Sequence, residues 1–267
     1  KLTVNKRRKL KNMRIEIVDT KQDVTNETSK SLLNKIYDRK VQNIALTAGT
    51  SPVASYEQCL EKFTERIHDP NMPKLHMWNF DEVPQAGSEE GTTTSTLRKY
   101  FLNPAEMPAY LYHRLDLSNW DTLDERLAEA NGLDFMLLGI GSDGRYAGNL
   151  PGVTKFEDGT RYIPSEANDQ VYAALVHTVG SEDKVPEGYV AMGPKTIMSA
   201  KEILMIAFGK KKAQIVKEAF FGPISEDVPA SILQAHPNFT LLLDREAAAE
   251  ILPQPAVAPA EAETITL

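Results

Sequence analysis

Short apolar runs alternate along this chain with longer segments that carry apolar residues at helical spacing. Each run has the length and bulk of a buried strand, and each longer segment suits a helix that crosses over a sheet. Strands joined through helices pair in parallel, and a parallel sheet needs cover on both faces. The pattern predicts an α/β fold, a Rossmann-like three-layer sandwich with a mostly parallel sheet covered by helices on both faces.

The predicted elements can be placed along the chain. Strands are predicted at residues 14–18, 43–46, 75–80, 135–140, 188–192, 203–207 and 239–243. Helices are predicted at residues 23–37, 52–66, 94–102, 121–131, 211–220 and 229–235. The segment 158–184 is polar with little periodicity, which indicates a lid or an irregular crossing.

These elements predict one domain, residues 13–251. Residues 1–12 are basic and lack the apolar centre of a secretory signal, so we interpret them as an N-terminal extension outside the fold. Residues 252–267 are rich in proline, alanine and glutamate, a composition that predicts a disordered tail.

Charge and cysteine content narrow the classes of partner. A net charge of −7 argues against nucleic acid or an anionic membrane as the main partner. The single cysteine, Cys59, excludes an internal disulfide and a cysteine-rich metal site, and it favours a reducing cytoplasm. Cys59 follows Tyr56 at helical spacing, which indicates a core position. No apolar run has the length needed to span a membrane.

Two loops after predicted strands carry candidate chemistry. The segment LTAGTSP, residues 46–52, enters a helix with small residues and hydroxyls, which is typical of a phosphate site or of a plain capped turn. The segment NFDEVP, residues 79–84, ends a strand with two acids. Neighbouring side chains of a strand point to opposite faces, so Asp81 and Glu82 have different tasks. One acid can act as a base while the other caps the next turn, or both can be caps.

The third loop is the most glycine-rich segment of the chain. It follows the apolar run at residues 135–140 and reads GSDGRYAGNLPG to residue 152. Glycines allow a close approach to a ligand, and Asp143 is the only acid of the loop. The alternative is a turn in which Asp143 bonds only its own backbone. In parallel α/β sheets such loops lie at the carboxyl edge, where sites form.

Together these segments resemble the glucosamine-6-phosphate deaminase/isomerase family, with its related 6-phosphogluconolactonases. LTAGTSPVASY is similar to the family's phosphate loop, NFDE to its strand-end motif, and GIGSDGRYAGNLPG to the catalytic loop usually written GIGxDGHxAFNEP. The closing segments VAMGPKTIMSAKEILMIAFGKKKA and VPASILQAHPNFTLLLD match as well. The resemblance extends over residues 13–250.

The resemblance implies roles for particular residues. It implies that a phosphorylated sugar is the substrate and that no metal or redox cofactor is needed. It makes Asp81 the base that moves a proton between C1 and C2 of the open-chain sugar, and it puts Asp143 beside the ring-opening group. The residues implied to bind the substrate are Thr47, Gly49, Thr50, Ser51, Gly141 and Lys212.

Two positions depart from the family pattern. Arg145 replaces the family's histidine, and Leu150 replaces its glutamate. Arginine keeps its proton at any working pH, so Arg145 cannot shuttle one, although it can bind an anion or pair with Asp143. The family's phosphate-binding arginine has no clear match, with Arg161 lying nearby in the sequence.

Two functions therefore stay open. The chain can be an isomerase or deaminase that keeps Asp81 as its base, with spontaneous ring opening or another residue in place of the missing histidine. It can also be a sugar-phosphate-binding regulator without activity. A 6-phosphogluconolactonase, which is a hydrolase, fits less well because its chemistry depends on the position that Arg145 occupies. A homo-oligomer stays open too.

Overall fold

The computed structural model describes residues 6–10, 13–63 and 74–253, and for residues 6–10 it describes the strand pairing only. Its strands are β1 Lys6–Leu10, β2 Met13–Val18, β3 Asn43–Leu46, β4 His76–Trp78, β5 Asp81–Glu82, β6 Tyr112–His113, β7 Phe135–Gly139, β8 Arg161–Pro164, β9 Gly188–Ala191, β10 Ile203–Ala207 and β11 Phe239–Asp244. Its α-helices are α1 Lys21–Tyr37, α2 Val53–Phe63, α3 Thr92–Leu97, α4 Leu123–Glu129, α5 Asp169–Val179, α6 Pro194–Ile197 and α7 Ala213–Phe221. Shorter 3₁₀ turns include Lys210–Lys212 and Pro229–Ala235, and a π-helical turn, Arg98–Leu102, continues α3.

The main sheet runs in the order β1-β2-β11-β10-β7-β3-β4-β6. Apart from the antiparallel pair β1–β2, its neighbouring strands are parallel. Every residue of β3 and of β10 is buried, as expected of strands that have helices on both faces. The predicted α/β sandwich with a mostly parallel sheet is confirmed.

The central strand β7 shows how the two faces are filled. Met136 and Leu138 belong to the apolar cluster on one face, and Phe135 and Leu137 belong to the cluster on the other. Helices α1 and α2 add side chains to the second cluster, whereas α4 and α7 add theirs to the first. Each large apolar side chain buried in this way contributes roughly 1.5–3 kcal/mol, so this alternation fixes the layers.

A second sheet with the order β5-β9-β8 stands apart from the first, and its strands are antiparallel. The strand predicted at residues 188–192 is present as β9, but it lies in this antiparallel sheet and not in the main parallel sheet. The four residues of β9 are all buried, so its sequence has the same apolar pattern as a central strand of a parallel sheet. The segment 158–184 is also more regular than predicted, because it contains β8 and α5.

The ends of the predicted domain meet the described residues only in part. Residues 6–10, predicted to lie outside the fold, form β1 and pair with β2. In this pairing Lys6 lies opposite Ile17 and Leu10 lies opposite Met13. The predicted tail lies outside the described residues from 254 onward, as do the last residues, 64–66, of the second predicted helix. Among the described residues, no helix is long and apolar enough to cross a lipid bilayer.

Candidate active site

Four neighbouring strands of the main sheet, β10, β7, β3 and β4, end at one edge, and the loops that follow them form the candidate site. Two contacts tie these loops together. Lys212 Nζ donates a hydrogen bond of 2.6 Å to the Ile140 carbonyl oxygen, and the Thr47 N–H donates one of 3.1 Å to the Leu137 carbonyl oxygen. The parallel topology therefore gathers segments that lie far apart in the sequence.

The loop after β3 is open to solvent where the sequence predicts phosphate binding. Gly49 and Thr50 are exposed, and Ser51 is partly buried just before α2 begins at Val53. Tyr56 Oη donates a hydrogen bond of 2.7 Å to the Thr47 carbonyl oxygen and so anchors the start of the loop. Small residues and hydroxyls at a helix N-terminus suit an anion, and phosphate binding here stays a prediction.

Asp81 lies at the start of β5, just beyond the carboxyl end of β4. Its side chain is partly buried, and its Oδ1 accepts a hydrogen bond of 2.9 Å from Thr93 Oγ1. Burial raises the pKa of Asp81, and the hydrogen bond from Thr93 lowers it by a smaller amount, so that the pKa is about 6. A carboxylate with such a pKa is largely ionised at neutral pH yet basic enough to accept a proton.

Glu82, the next residue, faces the other way and is 2% exposed. Its carboxylate accepts backbone hydrogen bonds from Thr93 at 2.8 Å and from Thr94 at 3.0 Å, and it also accepts the Thr94 hydroxyl. Burial raises its pKa to about 7. Glu82 therefore caps the start of α3, and the role of Asp81 as a base stays a prediction.

The glycine-rich loop turns tightly around Gly141, whose N–H donates a hydrogen bond of 2.8 Å to the Arg145 carbonyl oxygen. A Cβ on Gly141 would come within 2.5 Å of both Asp143 Oδ1 and Arg145 Cγ, so this position requires glycine. An ion pair of 2.9 Å joins Arg145 to Asp143 Oδ2. Burial and the nearby Arg145 lower the pKa of Lys212. The structure thus brings Asp143, Arg145 and Lys212 together.

Gly148 brings the same loop against Asp81. Its φ is +72°, and a Cβ there would come within 2.7 Å of the Ala191 Cβ and 3.2 Å of the Asp81 Cβ. Tyr189 Oη donates a hydrogen bond of 2.7 Å to the Gly148 carbonyl oxygen. Strand β9 of the second sheet therefore holds the loop beside the candidate base.

Leu150 and Arg161 both make contacts that stabilise the fold. Leu150 is 4% exposed and packs in an apolar cluster with Ile163 and Tyr189, which explains why a leucine suits the site of the family's glutamate. Arg161 is tied to Asp158 at 3.1 Å, and it also donates hydrogen bonds to Asn149 Oδ1 and Thr154 Oγ1. These contacts make Arg161 a brace between β8 and the glycine-rich loop.

Sequence reasoning missed Thr93 and Tyr189. Thr93 lies in a run of hydroxyl residues, TTTST, that has no recognisable spacing, and Tyr189 lies in a strand that reads as core. Neither residue gives a local signal, since each reaches the site only through tertiary contacts.

The histidines His76, His113 and His236 contact neighbouring residues of the fold. His76 and His113 contact each other at 2.7 Å, and His113 stacks on Trp78 beside a cavity of about 450 Å³. The ring of His236 is buried, with its Nε2 at 2.8 Å from the Ala200 carbonyl oxygen. Among residues 13–63 and 74–253, no group of three or more His, Cys, Asp or Glu side chains is arranged to hold a metal ion.

Comparison with known proteins agrees with this geometry. The family model described as glucosamine-6-phosphate isomerases/6-phosphogluconolactonase matches residues 18–242. A glucosamine-6-phosphate deaminase from Lactobacillus acidophilus is 42% identical over 231 residues, which cover 81% of this chain and 90% of the relative. One from Oenococcus oeni is 33% identical over 241 residues, with coverage of 89% and 98%.

Solved structures show the same fold. A monomeric glucosamine-6-phosphate deaminase superposes with a TM-score of 0.76 at 26% identity, covering 88% of this chain and 99% of that one. The 6-phosphogluconolactonase from Trypanosoma cruzi superposes with a TM-score of 0.68 at 20% identity, covering 90% and 97%.

Proposed function

This chain belongs to the glucosamine-6-phosphate isomerase and 6-phosphogluconolactonase family, and we propose that within it the protein is an amino-sugar-phosphate deaminase/isomerase. The observation that carries the proposal is Asp81, a partly buried carboxylate with a pKa of about 6 that lies against the glycine-rich loop. The names of the Lactobacillus and Oenococcus relatives support glucosamine 6-phosphate as the substrate. The acidic net charge and the single cysteine support a cytoplasmic enzyme.

The proposed reaction begins with the open-chain sugar. Ionised Asp81 takes the proton from C2, which gives an enolamine, and returns it to C1. The C1 oxygen gains a proton from solvent and the nitrogen loses one to solvent, so that the amine-bearing carbon becomes an imine. Water then adds to C2, ammonia leaves, and the product is the ketose phosphate. Because its pKa is raised toward neutrality, the Asp81 carboxyl can both accept and release the proton within one turnover.

The substrate's phosphate is proposed to bind at the loop after β3. Gly49, Thr50 and Ser51 would donate backbone or hydroxyl hydrogen bonds to it, and Thr47 would line its entrance. Lys212 would add a positive charge from the neighbouring loop, where the Ile140 carbonyl oxygen holds its ammonium group. Gly141 would let the sugar approach the backbone of the catalytic loop closely.

Asp143 and Arg145 are proposed to act as a fixed ion pair that binds sugar oxygens. Arg145 cannot exchange a proton at working pH, and Leu150 lies in an apolar cluster. The residues in the two places where the family carries its ring-opening groups therefore cannot move a proton. We propose that the enzyme consumes the open-chain form, which arises by spontaneous ring opening.

A second candidate function is sugar-phosphate binding without turnover. The observation that favours it is the Arg145–Asp143 ion pair, which occupies both residues of the loop that could act on the ring. The two candidates share the phosphate site and differ at Asp81, which a pure binding protein would not need as an ionised base.

The test is incubation with glucosamine 6-phosphate and galactosamine 6-phosphate, following ammonia and ketose together. Turnover that is lost in Asp81→Asn and kept in Asp169→Asn, an exposed position on α5, supports the deaminase. Thermal stabilisation by either sugar phosphate without turnover supports the binding protein. Hydrolysis of 6-phosphogluconolactone, together with no ammonia release from the two amino-sugar phosphates, would contradict both candidate functions.

A further inference from the structure

Thr93 is a residue outside the motifs of the sequence that the structure places directly on the proposed base. It lies in the first turn of α3, and its Oγ1 donates a hydrogen bond of 2.9 Å to Asp81 Oδ1. Among the described residues, hydrogen bonds to the Asp81 side chain reach Oδ1 only. The Thr93 hydroxyl therefore holds one oxygen of the carboxylate.

The buried Glu82 holds Thr93 in place. One of its carboxylate oxygens accepts the Thr93 N–H at 2.8 Å, and the other accepts the Thr94 N–H at 3.0 Å together with the Thr94 hydroxyl. A Cβ on Gly91 would overlap this carboxylate, so the glycine lets the helix start come close. With two backbone amides fixed, the Thr93 hydroxyl has a defined position relative to Asp81.

We propose that Thr93, supported by Glu82, is a positioning residue that holds the Asp81 carboxylate in its reactive orientation and favours its ionised form. The inference rests on the proposed function, because it takes Asp81 as the base. A hydroxyl that donates to a carboxylate stabilises the charged form, which opposes the effect of burial.

The charged and titratable groups around Asp81 set the background for this effect. Glu82 lies beside it on β5, and the charge of Asp81 adds to the rise that burial causes in the pKa of Glu82. Tyr189 faces Asp81 from β9 and stays neutral at working pH, since burial raises its pKa. Arg161 on β8 and, less strongly, Arg145 in the glycine-rich loop act on Tyr189 and offset part of that rise. The Thr93 hydroxyl differs from these groups in donating a hydrogen bond to the Asp81 carboxylate.

The test compares Thr93→Val, which keeps the shape and loses the donor, with Thr93→Ser, which keeps the donor. Two readouts apply: the pH profile of kcat/KM, and a ¹³C NMR titration of the Asp81 carboxyl, identified by its loss in Asp81→Asn. In Thr93→Val we expect the Asp81 pKa and the acid limb to move up by about one unit. We also expect kcat to fall about ten-fold with KM within two-fold, and Thr93→Ser to restore both values.

An unchanged Asp81 pKa in a folded Thr93→Val protein would overturn the inference, and so would a Thr93→Ser variant that behaves like Thr93→Val. The NMR titration separates this inference from the proposed function. If the wild-type protein turns over no sugar phosphate while the Asp81 pKa still depends on Thr93, the proposed function fails and the positioning of the carboxylate stands.

Discussion

At the scale of single residues, Asp81 has a raised pKa that suits its proposed role as the base and that carries a cost in stability. Its folded-state pKa of about 6 lies above the ordinary aspartate value of 3.8, so the folded protein binds its proton more tightly than the unfolded chain does. Stability from this group is therefore present below about pH 4 and is lost as the pH rises through about 6.

This sign gives a prediction for Asp81→Asn, which removes the titration. Relative to wild type, the variant is expected to gain about 1–2 kcal/mol in free energy of unfolding between pH 4 and pH 7.5. This gain in stability is smaller than the free energy that corresponds to the whole pKa shift, because Asp81 is partly exposed. Urea denaturation of both proteins at several pH values measures it. A difference that does not change with pH would show that Asp81 ionises normally in the folded state.

The proposed role of Arg145 is to supply positive charge to the site and not to transfer a proton. Arg145 lies close enough to Lys212 to lower the pKa of that lysine. Arg145→His is expected to weaken sugar-phosphate binding about three-fold to five-fold at pH 8, where histidine is neutral, and to recover most of it at pH 5.5. Arg145→Lys keeps the charge and serves as the control. Dissociation constants from calorimetry test this, and equal weakening at both pH values would contradict a charge role.

At the scale of elements, the glycine-rich loop depends on its packing against the second sheet. Gly148→Ala would combine a strained φ of +72° with a contact of 2.7 Å to the Ala191 Cβ. Gly132→Ala has nearly the same φ, +74°, and meets nothing within 4 Å. We expect both variants to lose about 1 kcal/mol from backbone strain, and Gly148→Ala to lose about 1–3 kcal/mol more from crowding.

Activity distinguishes the two glycine variants further. Because the added methyl would lie 3.2 Å from the Asp81 Cβ, Gly148→Ala is expected to lower kcat by at least ten-fold, while Gly132→Ala keeps it near the wild-type value. Thermal unfolding and kcat are measured for both. Equal stability and equal activity of the two variants would show that the glycine-rich loop does not pack closely against Asp81.

Elements also show which parts of the fold a sequence can predict. The strands of the main sheet and their loops follow from apolar runs and glycines, which are local signals. The second sheet does not, because β9 is buried like a central strand and β8 lies in a polar segment. Its contribution to the site, the contact of Tyr189 with the glycine-rich loop, depends on pairing between distant segments and has no local signature.

At the scale of the whole molecule, parallel topology accounts for most of the site. Asp81, Asp143 and Lys212 are far apart in the chain, yet each follows a strand that ends at the same edge. The positions of Asp81 and Asp143 after strands therefore predict that they lie close together, whereas Lys212 is assigned to the site by the family resemblance. Sequence reasoning could not place Thr93, which reaches Asp81 through a short helix whose start is fixed by the buried Glu82.

The measurement that most directly tests the central claim is turnover of glucosamine 6-phosphate in D₂O, followed by NMR. If Asp81 moves the proton between C2 and C1, that proton exchanges with solvent while the carboxyl group holds it. The wild-type protein then releases ammonia and forms ketose with deuterium at C1, and Asp81→Asn forms neither product. Deuterated ketose formed by Asp81→Asn at the wild-type rate would contradict this account. So would a wild-type protein that binds the sugar phosphate and leaves C1 and C2 unchanged.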